Sequence, residues 1–118
     1  MDSFELEFAQ FLGACDVIGV GNGTDALEIL IEALCLPPGS EILVPAHSFI
    51  ATAEAVVRAG HRPIFVDIGH DFLLDLDDAR KKSSRRTGAL IVVHLWGRLE
   101  NITGIRDLAA ELEIQVIE

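Results

Sequence analysis

A glycine-rich turn is the stretch of this chain whose composition best suits binding of a small anion. Gly19, Gly21 and Gly23 separate the apolar residues 16–20 from a long apolar segment that starts at Thr24. Because glycine has no Cβ, successive backbone N–H groups can point toward one ligand. A helix that begins directly after the turn favours a phosphate, because its N-terminus is the positive end of the dipole. The pattern equally suits an ordinary strand-to-helix connection, in which glycine only permits a tight bend.

Two nucleotide-binding motifs are excluded at this turn. A dinucleotide fingerprint that began at Gly19 would need glycine or alanine where the chain has Thr24. A P-loop needs a Gly-Lys-Ser/Thr sequence, and the lysines of the chain, Lys81 and Lys82, lie far from the turn. The predicted ligand is therefore a phosphate-bearing cofactor or a sugar phosphate, and not a dinucleotide or ATP.

The charge balance narrows the classes of partner. The chain has 19 Asp and Glu against 9 Lys and Arg, which gives a formal net charge of −10. Such an acidic protein is a poor partner for nucleic acid or an anionic membrane. No apolar run approaches the ~20 residues that cross a bilayer, and the acidic start lacks the layout of a signal peptide. We therefore expect a cytoplasmic protein.

Hydrophobic residues make up 50% of the 118 positions, which is more than one small core needs. We expect part of this apolar surface to be covered by the remainder of a larger polypeptide, by a second copy, or by both. Cys15 and Cys35 are predicted to be buried thiols, since disulfides are rare in proteins that are not secreted. No Cys/His spacing indicates a metal site.

Alternating strand and helix patterns must position the turn. Strands are predicted at residues 16–20, 41–44, 63–67, 88–94 and 114–117. Helices are predicted at 4–12, about 24–36, about 50–59, from 77 to about 82, and after Asn101 or Thr103. This alternation predicts an α/β fold, with a mainly parallel sheet and helices on both faces.

The ligand site is expected where the strands end. In parallel sheets, ligands bind beyond the carboxyl ends of the strands, which here are residues 21–24, 45–49, Asp67 and 94–97. Thr24 or Asp25 is the predicted N-cap of the helix after the glycines. In the following helix, Glu54 and Arg58 have the i,i+4 spacing of a weak ion pair.

Five sequence blocks occur in order at Phe8-Ala9 and at residues 20–27, 44–53, 65–68 and 93–97. Together they closely resemble the N-terminal part of the sugar aminotransferases of the DegT/DnrJ/StrS type. That family consists of fold type I enzymes that use pyridoxal phosphate. The resemblance covers essentially the whole chain. It implies that residues 1–118 are the N-terminal portion of the large cofactor-binding domain, and that the small C-terminal domain is absent.

The resemblance also implies roles for individual residues. Gly23, Thr24 and Asp25 would hold the phosphate of pyridoxal phosphate through backbone N–H groups and the Thr24 hydroxyl. Asp25 would act through its amide, with its carboxylate turned away from the phosphate. Phe49 would stack on the pyridine ring, although core packing is the alternative for this side chain. His94 lies at the same rim and is assigned no chemistry, because a structural role suits it equally.

The family's chemistry depends on two residues that lie beyond Glu118, namely an aspartate for the pyridine nitrogen and the Schiff-base lysine. Lys81 and Lys82 do not match the position of the family's nucleophilic lysine. The resemblance therefore implies no catalytic residue in this chain. It implies part of an enzyme that transfers an amino group, with glutamate as donor, to a nucleotide-linked keto-sugar for amino-sugar or polysaccharide biosynthesis. A homodimer is also implied.

Two other functions stay open. One is a non-catalytic module that binds pyridoxal phosphate or a sugar phosphate, or that associates with a full-length relative. The other is a relic without function.

Overall fold

A computed structural model describes residues 2–118, with side chains from Ser3 onward, and contains a fully parallel four-stranded sheet. The strands are β1 (Glu41–Pro45), β2 (Arg62–Val66), β3 (Thr87–Ile91) and β4 (Gln115–Ile117), in the order β2-β1-β3-β4. The helices are α1 (Asp2–Leu12), α2 (Gly23–Ala33), α3 (Ala51–Arg58), α4 (Leu76–Lys82) and α5 (Ile102–Leu112). A 3₁₀ turn spans Leu95–Gly97. The predicted α/β class is confirmed.

Helices cover both faces of the sheet, as predicted. Successive strand residues point to opposite faces, so each strand contributes to two cores. Leu43 of β1 packs in the cluster that contains Leu108 of α5. Its neighbour Val44 packs in a second cluster, with Ile31 of α2 and Val56 of α3. Burial on both faces explains why the central strands carry no polar alternation.

The predicted first strand is wrong. Residues 16–20 form no strand in the described part of the chain. The Gly19 N–H instead donates to Oε1 of Glu5 in α1, at 2.6 Å, and Ile18 is 79% exposed. An apolar segment becomes a strand only when a neighbouring strand accepts its N–H groups and donates to its carbonyls. The apolar composition of residues 16–20 predicted a strand, but no strand of the described residues 2–118 lies beside this segment.

Two further predictions need correction. Cys15 and Cys35 are free thiols, but both are exposed instead of buried. Each lies in connecting chain beyond a helix, and Cys35 has a left-handed φ of 49° while its neighbours Leu34 and Leu36 pack against the second cluster. The helix after the glycines ends at Ala33, three residues earlier than predicted. In contrast, Asn101 caps α5 as one of the two predicted candidates, because its side chain accepts from the Gly104 N–H.

Candidate functional site

The carboxyl ends of the strands lie at one edge of the sheet, because all pairs are parallel. Aromatic contacts show that three of the connecting segments meet there. The His47 ring, after β1, lies 5.2 Å from the Trp96 ring, after β3, and 6.5 Å from the Phe72 ring, after β2. The predicted convergence is therefore present for residues 45–49 and 94–97, and Phe72 adds the segment after β2, whereas these contacts include neither Asp67 nor residues 21–24.

The glycine-rich turn leads directly into α2, as predicted, but the N-cap is Asn22, and neither Thr24 nor Asp25. The Asn22 side chain accepts the Asp25 N–H at 2.9 Å through Oδ1 and donates from Nδ2 to Oδ2 of Asp25, also at 2.9 Å. An asparagine in this position satisfies one of the N–H groups that a helix start leaves unpaired. The Asn-Gly-Thr-Asp sequence, with asparagine three residues before aspartate, is the pattern that identifies the cap.

Two backbone donors stay open at this helix end. Among residues 2–118, the N–H groups of Gly23 and Thr24 have no protein acceptor, and neither does the Thr24 hydroxyl. They belong to the first turn of α2, where the helix dipole is positive. Two free amides and a hydroxyl at a helix start are a suitable donor set for a phosphate. The Asp25 amide is already bonded to Asn22, so this predicted donor is not free.

The Asp25 carboxylate lies beside Gly21. A Cβ at position 21 would lie 3.1 Å from its Oδ2, so glycine makes room for this carboxylate. Arg58 of α3 approaches Oδ1 to 4.0 Å and contacts Glu28 of α2 at 2.8 Å. Arg58 therefore bridges to α2, whereas the sequence predicted a pair with Glu54.

A cavity of about 370 Å³ adjoins this side of α2, and carboxylates of Asp25, Glu28 and Glu32 line it together with Gly19 and Gly21. Negative charges repel a phosphate at such short range. The cavity therefore does not suit a phosphate, and Gly23 and Thr24 are not among the residues that line it.

Phe49 follows β1 and is 73% exposed, so it does not pack in the core of the described residues. The core-packing alternative therefore finds no support within residues 2–118. An exposed aromatic face is free to stack on a planar ligand. The cavity beside α2 is lined by neither Phe49 nor Thr24.

The end of β2 is tied to α4 by a charged contact. The Asp67 N–H donates to Oδ2 of Asp78 at 2.8 Å, and Lys82 lies 2.6 Å from the same oxygen. The Asp67 N–H first, and then Lys82, lower the pKa of Asp78, because both favour the charged carboxylate. Lys82 is thus paired on α4, as expected for a surface helix. In residues 2–118, no cluster of three metal-ligating side chains occurs.

His94 has two hydrogen-bond partners that the sequence did not indicate. Its Nε2 lies 2.7 Å from Oε1 of Glu118, and its Nδ1 lies 3.1 Å from the Glu100 nitrogen, whose N–H points to it. Both contacts join residues that are not adjacent in the chain. They explain why pattern reasoning could place His94 at the rim and could not find its partners.

None of the helices in the described range is long and apolar enough to cross a membrane. The apolar surface that composition predicted is visible on the outside of the molecule. Phe4 and Phe11 of α1 are 61% and 82% exposed, and the Phe8 ring stacks between them.

Comparison with known proteins matches residues 1–118 to the DegT/DnrJ/EryC1/StrS aminotransferase family. The chain is 34% identical over 119 residues to GDP-perosamine synthase of Vibrio cholerae. This alignment covers 100% of this chain and 32% of that protein. It is 39% identical over 117 residues to the UDP-N-acetyl-3-dehydro-alpha-D-glucosamine 3-aminotransferase of Acidithiobacillus ferrooxidans, with 98% and 32% covered. The chain thus spans about a third of the length of these relatives.

Solved structures of aminotransferases share the fold of this chain. NtdA from Bacillus subtilis, with bound cofactor PMP, has a TM-score of 0.94 and 37% identity, over 99% of this chain and 27% of that one. An aminotransferase from Psychrobacter cryohalolentis has a TM-score of 0.93 and 32% identity, over 99% and 30%. The similarity therefore holds for nearly every element described above.

Proposed function

Because the chain belongs to the DegT/DnrJ/EryC1/StrS aminotransferase family, we propose that it is the N-terminal, cofactor-binding portion of a sugar aminotransferase. The names of the two curated relatives refer to GDP- and UDP-linked sugars. Another relative, 37% identical, is the 3-oxo-glucose-6-phosphate:glutamate aminotransferase of Bacillus subtilis. The first two names support a nucleotide-linked keto-sugar as acceptor, and the third, whose own acceptor is a sugar phosphate, supports glutamate as amino donor.

The cofactor of this proposal is pyridoxal phosphate, and the observation that carries it is the open donor set at α2. The N–H groups of Gly23 and Thr24, with the Thr24 hydroxyl, would hold the phosphate. Asp25 completes the predicted set only if its amide leaves Asn22, while its carboxylate stays beside Gly21. When bound, the cofactor supplies the electron-withdrawing ring and the aldehyde group whose carbon takes up the amino group.

The exposed Phe49 ring would orient the pyridine ring by stacking. Residues of this chain therefore bind and orient, and no catalytic residue is proposed among them. Both lysines lie on α4, where Lys82 is paired with Asp78, so we propose that neither bonds to the cofactor. The exposed apolar residues of α1 support the further proposal that the remainder of the enzyme, or the second subunit of a homodimer, covers them.

The single tryptophan makes the proposal testable on this chain, because Trp96 lies at the rim and is 83% exposed. Its fluorescence should fall as pyridoxal phosphate is added. Thr24→Val removes one donor to a charged group and should weaken binding by about tenfold. Phe49→Ala should also weaken it, whereas Thr103→Val, on exposed α5 surface, should change nothing.

Pyridoxal without its phosphate separates the two parts of the site. Its binding should respond to Phe49→Ala and not to Thr24→Val. Equal affinity of wild type and Thr24→Val for pyridoxal phosphate would contradict the phosphate assignment. A borohydride-trapped adduct on Lys81 or Lys82 would overturn the non-covalent role.

A further inference from the structure

The His94 imidazole joins the segment after β3 to the end of β4, and Glu100 extends this connection to a third segment at the carboxyl end of the sheet. Through Nε2 it contacts the Glu118 carboxylate, directly after β4, and through Nδ1 it accepts the Glu100 N–H, after the 3₁₀ turn. The buried Glu100 carboxylate accepts the Leu74 N–H at 3.1 and 3.2 Å, in the segment after β2. Exits of β2, β3 and β4 are thus linked through one histidine and the residue that it contacts.

The hydrogen bonds determine the state of the ring. Nδ1 accepts a backbone N–H, so it carries no proton in this arrangement. A neutral imidazole then bears its proton on Nε2, which donates to Oε1 of Glu118. A second proton, on Nδ1, would remove the acceptor for the Glu100 N–H. In this geometry His94 accepts at Nδ1 and donates at Nε2, so it connects two segments of the chain.

The hydrogen bond between His94 and Glu100 spans a strained turn at Leu95–Gly97. Trp96 has a left-handed φ of 56°, which is unfavourable for a side chain of this size. Such strain persists only where the surrounding contacts hold it, and it is frequent at functional sites. The Gly97 N–H donates to the His94 carbonyl at 3.0 Å, and the imidazole bond to Glu100 spans the same turn. The turn presents the Trp96 ring outward, against His47.

We propose that His94 is a positioning residue, which holds the Trp96 turn against the end of β4 at the ligand rim. The geometry of the two hydrogen bonds carries this assignment. Only its link to cofactor binding rests on the proposed function. Loss of His94 should release both the Glu100 amide and the Glu118 carboxylate, and should weaken binding at the rim.

Amide variants separate the two bonds. His94→Asn places an acceptor near the Nδ1 position, so it should keep the Glu100 contact and lose that to Glu118. His94→Gln reaches the Nε2 position, so it should keep the Glu118 contact and lose the other. In hydrogen exchange by NMR, the Glu100 amide should exchange about tenfold faster in His94→Ala and His94→Gln than in wild type or His94→Asn. The Glu118 carboxyl resonance should move in His94→Ala and His94→Asn only.

Imidazole nitrogen spectra of the wild type should show an unprotonated Nδ1 and a protonated Nε2 for His94. His70→Ala, which removes an exposed histidine of a neighbouring segment, is the matched control and should leave every readout unchanged. The inference is overturned if Glu100 exchange is the same in all His94 variants, or if Nδ1 carries the proton.

Titration with pyridoxal phosphate, followed by Trp96 fluorescence, tests the functional link separately. Weaker binding by His94→Ala supports it. If the wild type shows no binding while the NMR results hold, the proposed function fails and the positioning role stands. If the wild type binds and His94→Ala binds equally, positioning for the ligand is refuted.

Discussion

Two regions of this molecule had the same expected role and acquired different structures. Residues 21–24, after a predicted strand at 16–20, and the exits of β1 to β3 were both predicted to be strand ends that face a ligand. The exits of β1 to β3 are held by contacts between distant segments, such as His47 with Trp96. The glycine turn is held mainly by a local bond, from Asp25 to Asn22, and by Glu5 of α1. A local pattern therefore sufficed for the helix start, whereas the strand before it lacked a partner.

Truncation of one apolar residue in each region should give the largest difference. Leu43 is fully buried in β1, so Leu43→Ala should lower the free energy of unfolding by about 2–5 kcal/mol. Ile18→Ala, in the exposed segment, should change it by less than about 0.5 kcal/mol. Urea unfolding measures both variants. A comparable loss in the two would mean that residues 16–20 are packed in solution.

The local bond of the glycine turn should contribute less than core packing. Asn22→Ala removes the cap of α2 and should cost about 1 kcal/mol in urea unfolding. Asn22→Ser retains a capping oxygen and should restore most of that loss. If alanine and serine have equal effects, the cap does not determine the start of the helix.

A smaller and pH-dependent effect is expected where β2 is tied to α4. The pKa of Asp78 lies below its ordinary value, so its charged form stabilises the fold above the unfolded pKa, near 3.9. That contribution is lost as pH falls through the lower folded pKa. Asp78→Asn keeps an acceptor and loses the charge, so it should destabilise by no more than about 1 kcal/mol at pH 7. The difference in urea midpoint from wild type should shrink below about pH 4.

The smallest effect should come from an exposed ion pair between α4 and α5. Arg80 contacts Glu111 at 2.9 Å, and a hydrogen bond from Arg80 lowers the pKa of Glu111. Water screens this pair, so Glu111→Gln should leave the urea midpoint within error at physiological salt. A clear shift in the midpoint would show that the α4–α5 contact depends on charge more than on the core beneath it.

Local patterns explain why most elements could be predicted. The apolar run at 41–44 became β1 because two helix layers were available to bury both faces. The run at 88–94 became β3, which ends at Ile91, three residues earlier than predicted. The exposed state of Phe49 was consistent with its position after β1, but the sequence also allowed core packing. Arg58 shows where local patterns fail. Its i,i+4 spacing predicted an ion pair with Glu54, but α2 packs beside α3 and Arg58 pairs with Glu28 of α2 instead.

By itself, the sequence determined the α/β class, the order of most elements, and the helix that starts in the glycine turn. These depend on periodicity and on capping chemistry within a few residues. Only the tertiary structure decided that residues 16–20 form no strand with any segment of the described range, that the Asp25 amide is occupied, and that His94 joins Glu118 to Glu100. Each of the three depends on which group lies within hydrogen-bond distance after folding, and local spacing does not determine that distance.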